Sequence, residues 1–149
     1  MRPLRRFRTA LAAGVVAACL ATGLVSAAAA GVVVIGHPDL ATGEVAARDL
    51  ERIFLGKMTR WSDGVTVVPV VLREGPTHEE FVTGLLGRST HRFVAYWRQM
   101  VFTGKGTPPA SVQSEREMVA YVGLTPGAVG YVSDAARLDG VRILVVDGP

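Results

Sequence analysis

Arg73, Gly75, Thr77 and His78 stand close together where an apolar, β-branched run passes into a helical pattern, in the stretch VVPVVLREGPTHEEF, residues 67–81. Each type suits the capture of a small oxyanion. The guanidinium presents a planar fork of charged donors, glycine lets backbone approach, and the threonine adds a hydroxyl. The N–H groups that open a helix point at the same place. The residues also fit a purely structural reading, in which Thr77 is an N-cap, Glu80 three residues later completes a capping box, and Arg73 is a solvated side chain.

Alternating strands and helices must position this turn. GVVVIG (31–36) is a continuous β-branched run of the kind buried on both faces of a parallel sheet. EVAARDLERIFLGK follows as an amphipathic helix, with Val45, Leu50, Ile53 and Phe54 on one side and a stop at Gly56. VTVVPVVL (65–72) is the next strand, and Pro69 marks an edge or bulge within it. A helix then runs over 77–86, Ser89 opens a second, and Ser114 caps a third that closes at Thr125, Pro126 and Gly127. AVGYVS and VRILVV are the last strands. Strands that alternate with helices define an α/β class, with VVVI, VVPVV, AVGYV and RILVV in one sheet.

Other chemistries are poorly served. FTGKGTPP lacks the P-loop pattern, because Gln99 stands where the leading glycine belongs and Gly106 follows Lys105. GLLGRST fails in the same way at Val82 and Arg88. Both read as helix terminators, with Lys105 left as a minor candidate for an anion or partner contact. Trp61, Tyr96 and Trp97 read as packing residues. His37, His78 and His91 have no zinc-ligand spacing, there is no G-x-S-x-G elbow, and the neighbouring Glu79 and Glu80 point to different helix faces. No catalytic residue, metal or cofactor is expected, and the protein is read as not an enzyme.

The formal charge of +3 is misleading. Four of the 16 basic residues, Arg2, Arg5, Arg6 and Arg8, precede an apolar Ala- and Gly-rich stretch that ends in Ala28, Ala29 and Ala30. A basic start, a short apolar centre and an A-x-A end describe a secretory signal peptide over 1–30. Without those arginines, 12 basic residues face 13 acidic ones, so no general nucleic-acid footprint remains. Cys19, the single cysteine, lies inside the apolar segment. VAAC resembles a lipoprotein processing site, but the chain stays apolar after it, which argues for cleavage near Ala30 over acylation at Cys19. Residues 31–149 then form one periplasmic or extracellular domain without a disulfide, long enough for one core.

LERIFLGKMTRWSDG, VVPVVLREGPTHEEF and TPGAVGYVSDA resemble, in order and spacing, segments of the phosphate-binding proteins of ABC importers, members of the periplasmic-binding-protein-like superfamily. The likeness runs from Val32 to Ser133 and matches one lobe of a two-lobed family. It implies a single periplasmic-binding-protein-like lobe with a mixed, mostly parallel sheet flanked by helices. Arg73 matches the family's arginine by position, and Thr77 the threonine of its D-G-S-G-T turn. The intervening EGP is two residues shorter, and Pro76 removes one backbone donor. The implied site is Arg73, Gly75, Thr77 and His78, and the implied ligand is phosphate or another small oxyanion. Implied partners are ABC transporter membrane subunits, a sensor protein, or a second copy that rebuilds the cleft. The competing reading is a non-catalytic protein-protein interaction module derived from one such lobe.

Overall fold

The structure, a computed structural model, describes residues 31–148. Residues 1–30, read above as a signal peptide, lie with Cys19 outside the described residues. The elements are β1 (Val32–Gly36), β2 (Glu44–Ala46), α1 (Ala47–Phe54), β3 (Val68–Leu72), α2 (Pro76–Glu80), α3 (Thr90–Phe102), β4 (Ala110–Val112), α4 (Glu115–Leu124), β5 (Ala128–Ser133) and β6 (Arg142–Asp147). Helix α2 runs on as a π-turn over Phe81–Leu85.

The six strands form one sheet in the order β2-β6-β1-β5-β3-β4. Strand β1 pairs antiparallel with both β5 and β6, while β2 with β6, β3 with β4 and β3 with β5 are parallel pairs. All strands but β1 therefore share one direction, which makes the sheet mixed and mostly parallel. VVVI, VVPVV, AVGYV and RILVV do lie in this sheet. The expectation that VVVIG belongs to a parallel ladder is corrected. An apolar run reports burial on both faces, and Val34 and Ile35 are buried, but burial carries no information about direction.

Two boundaries also differ from expectation. The helix read from Glu44 starts at Ala47, because Glu44–Ala46 is drawn into a parallel ladder with Val145–Asp147. The strand read from Val65 starts at Val68, and β3 is not an edge strand. Its Pro69 is tolerated because the β4 ladder begins only at Val70.

Side chains alternate across β5 and fix the layers. A Cβ on Gly130 would collide with the sulfur of Met118 on α4, so that face of the sheet lies against α4. The next residue, Tyr131, points the other way. It stacks on Phe81 at 3.7 Å and 7°, and Phe54 meets Phe81 edge-on at 4.8 Å. These three rings anchor the core beneath α1 and α2, and each is fully buried. Trp61 and Trp97 complete it, their indole N–H groups donating to the carbonyls of Gly127 (3.0 Å) and Phe54 (3.1 Å). Tyr96, half-buried, donates its hydroxyl to Leu55 O at 2.7 Å. Gly127 immediately precedes β5 at φ +79°, where a Cβ would fall inside contact distance of the Thr66 carbonyl, so both space and dihedral demand glycine.

Candidate functional site

Because β3, β4 and β5 are parallel neighbours, Leu72, Val112 and Ser133 end at one edge of the sheet. Open α/β sheets place ligand sites at such carboxyl ends. The turn in question leaves β3 there, pinned by Arg73 N–H donating to Val112 O at 2.9 Å.

The turn is built differently from the expected capping box. The N-cap of α2 is Gly75, at φ +112° and ψ +170°, with no side-chain capping bond. Pro76 occupies the first helical position, where its missing N–H would be unpaired anyway and its ring sets the helical φ. The proline thus moves the cap two residues early, from Thr77 to Gly75, and puts Thr77 inside the helix. Thr77 does not cap; its hydroxyl donates to Glu115 Oε1 at 2.7 Å. Glu80 is exposed. Ser89 and Ser114, in contrast, do cap, accepting from Arg92 N–H at 3.3 Å and Glu117 N–H at 3.1 Å.

Glu115 gathers the polar groups of this edge. Besides Thr77, Ser133 donates to it twice, from its backbone N–H to Oε1 at 2.9 Å and from its hydroxyl to Oε2 at 2.8 Å. Burial opposes ionisation of the carboxyl, but the bonds from Thr77 and Ser133 outweigh it and hold the group below the usual carboxylate range. At this edge the chain already holds an anion, its own.

His78 turns inward. Its imidazole is buried, lies between Phe93 and Tyr131, and places Nδ1 2.5 Å from the Tyr131 hydroxyl. That hydroxyl accepts Leu72 N–H at 3.0 Å. Burial raises the phenol far above its ordinary pKa and lowers the imidazole's, so both groups favour their neutral forms and share one hydrogen bond between the hydroxyl and Nδ1. The side chain of His78 therefore braces the turn from behind and offers no charge to an external anion. Only its amide, among the first N–H groups of the helix, faces the turn.

Arg73 and Gly75 are exposed, and the Arg73 side chain makes no hydrogen bond or ion pair to the described residues. A cavity of about 280 Å³ opens at the turn, lined by Glu74, Gly75, Pro76, Thr77, Ser114 and Glu115 among others, but not by Arg73. The structure thus brings Gly75 and Thr77 to one opening, leaves Arg73 exposed outside its lining, and sends His78 behind it. Sequence reasoning missed Glu115, Ser133 and Tyr131. Glu115 follows a recognisable cap, but its partner Thr77 is 38 positions away, and no local pattern links the two.

Lys105 donates its backbone N–H to Met100 O at 2.9 Å as α3 ends, as a helix terminator should. Among the described residues no three His, Cys, Asp or Glu side chains gather as a metal site. No described helix is long and apolar enough to cross a membrane.

No protein-family model matches the chain, and no curated protein matches it. Solved structures do. An ABC-type phosphate transport receptor from Vibrio cholerae superposes with a TM-score of 0.60 at 18% identity, over 76% of this chain and 45% of that one. A structure described as a phosphate ABC transporter substrate-binding protein with bound phosphate, from Clostridium perfringens, gives 0.63 at 18%, over 79% and 45%. PstS from Borrelia burgdorferi gives 0.62 at 16%, over 78% and 47%. The likeness shows the fold: this chain is similar to one part of such proteins and spans less than half of their length.

Proposed function

We propose that this chain is an exported, non-catalytic lobe that binds a small oxyanion, phosphate-like in charge and shape, at the turn between β3 and α2. The carrying observation is the meeting of three parallel strand ends at an opening lined by Gly75 and Thr77, next in the chain to an exposed arginine that has no side-chain partner among the described residues. The fold likeness to phosphate-transport proteins supports the choice of ligand. Arg73 supplies charge and paired donors, Gly75 and Thr77 supply backbone N–H groups, and the helix behind adds a partial positive end. His78 and Tyr131 hold that helix in place. On this reading residues 1–30 direct export and are removed together with Cys19, and the partners are importer membrane subunits or a sensor.

A second reading, docking to another protein, is favoured by one specific feature. Val94, Val101 and Phe102 line one side of α3, and Phe102 is 91% exposed, an unusual amount of apolar surface for a free helix face.

Calorimetric titration of the exported protein, its N-terminus sequenced, with phosphate, sulfate and tripolyphosphate tests the first reading. Arg73→Ala should abolish binding with a change in stability of about 0.5 kcal/mol or less, and Arg73→Lys should restore it only partly, because the planar fork is lost. Absence of heat with every anion at millimolar concentration would refute it in favour of docking.

A further inference from the structure

Glu115 stands between two cavities. One is the 280 Å³ opening at the turn; the other, about 620 Å³, is lined by Glu115, Arg116, Val119, Ala136, Arg137 and Asp139. Neither Arg116 nor Arg137 forms a hydrogen bond or ion pair with the described residues through its side chain. The Glu115 carboxylate takes the Thr77 hydroxyl and both donors of Ser133, which come from α2 and the end of β5. These groups converge as they would on any oxyanion, and an arriving one would find them taken and meet a like charge.

We infer that Glu115 is a tethered anion, so that an external oxyanion binds this lobe only in competition with the chain's own carboxylate. The inference rests on the oxyanion reading above and names its regulation. Displaced from Thr77 and Ser133, the carboxylate has somewhere to go: the larger cavity is lined by Arg116 and Arg137, two cations against the single carboxylate of Asp139. Thr77 and Ser133 then become donors for the incoming ligand. The resting lobe is accordingly a weak binder, and whatever draws Glu115 aside, such as a partner that presents a cationic group, tightens it.

The test is titration of the full exported protein with inorganic phosphate, comparing wild type with Glu115→Ala and Glu115→Gln. Removing a like charge at contact distance from a half-exposed site should tighten binding by about tenfold or more in Glu115→Ala. Glu115→Gln, which keeps the shape but not the charge, should fall between it and wild type. Phosphate binding to the wild type should also shift the Ser133 amide resonance, because that N–H changes its acceptor. Wild type and variants that bind phosphate equally, or variants that bind it less well, overturn the inference while the oxyanion reading stands. Silence from all three chains overturns both. Where neither variant keeps the native fold, the wild-type resonance decides, and a Ser133 amide that stays put while binding heat is released overturns the inference.

Discussion

Replacement of Tyr131 by Phe deletes one oxygen and leaves the rest of a fully buried side chain in place. The ring keeps its stack on Phe81 at 3.7 Å, so little hydrophobic contact is lost. What disappears is the acceptor of Leu72 N–H (3.0 Å) and the partner of His78 Nδ1 (2.5 Å). Both orphans sit in the core, out of reach of water. A buried polar group that loses its partner costs about 1–3 kcal/mol, so the two together should cost about 2–6 kcal/mol. For a domain of this size that is a fall in Tm of about 8–24 °C. Urea unfolding of Tyr131→Phe should show a lowered midpoint with an unchanged m-value, since the native and unfolded surfaces stay the same. A Tyr131→Phe/His78→Phe double variant should cost less than the sum of the two single changes, because one orphan no longer exists. A single-variant loss below about 1 kcal/mol would refute the argument that this hydroxyl ties β3, α2 and β5 together.

Two other outcomes follow from the same geometry. The folded-state pKa of His78 lies below its ordinary 6.5, so the unfolded chain takes up the proton first; stability should be level above pH about 6.5 and decline below it. The lowered carboxyl of Glu115 adds a second decline below pH about 4.5, and His78→Phe should remove the first decline and leave the second, read from Tm against pH. Gly127→Ala should cost about 3 kcal/mol or more, through the φ of +79° and the collision with the Thr66 carbonyl. Thermal melts check this, and a melt within 2 °C of wild type contradicts it.

The elements themselves were legible wherever a local rule governed. Ser89 and Ser114 cap because a hydroxyl followed by a helix can do little else at that spacing, and the helix stop at Gly56 and the turn before β5 follow from glycine's access to positive φ. Pro76 shows the limit of such rules. Two local signals competed for one helix start, and the proline's fixed φ prevailed over the threonine's hydroxyl, which donates to Glu115 and accepts no capping bond. The short strands β2 and β4 were illegible because their ladders depend on β6 and β3 across long stretches of chain.

By itself, then, the sequence determined the α/β alternation, the buried runs and the presence of Arg73, Gly75 and Thr77 at a strand-to-helix junction, because periodicity and turn chemistry act over a few residues. The direction of β1, the inward turn of His78 and the seizure of Thr77 and Ser133 by Glu115 were decided only in three dimensions. Each of those depends on which distant groups come within hydrogen-bond reach once the strand ends meet, and a hydrogen bond of 2.7 Å between residues 38 positions apart leaves no trace in local spacing.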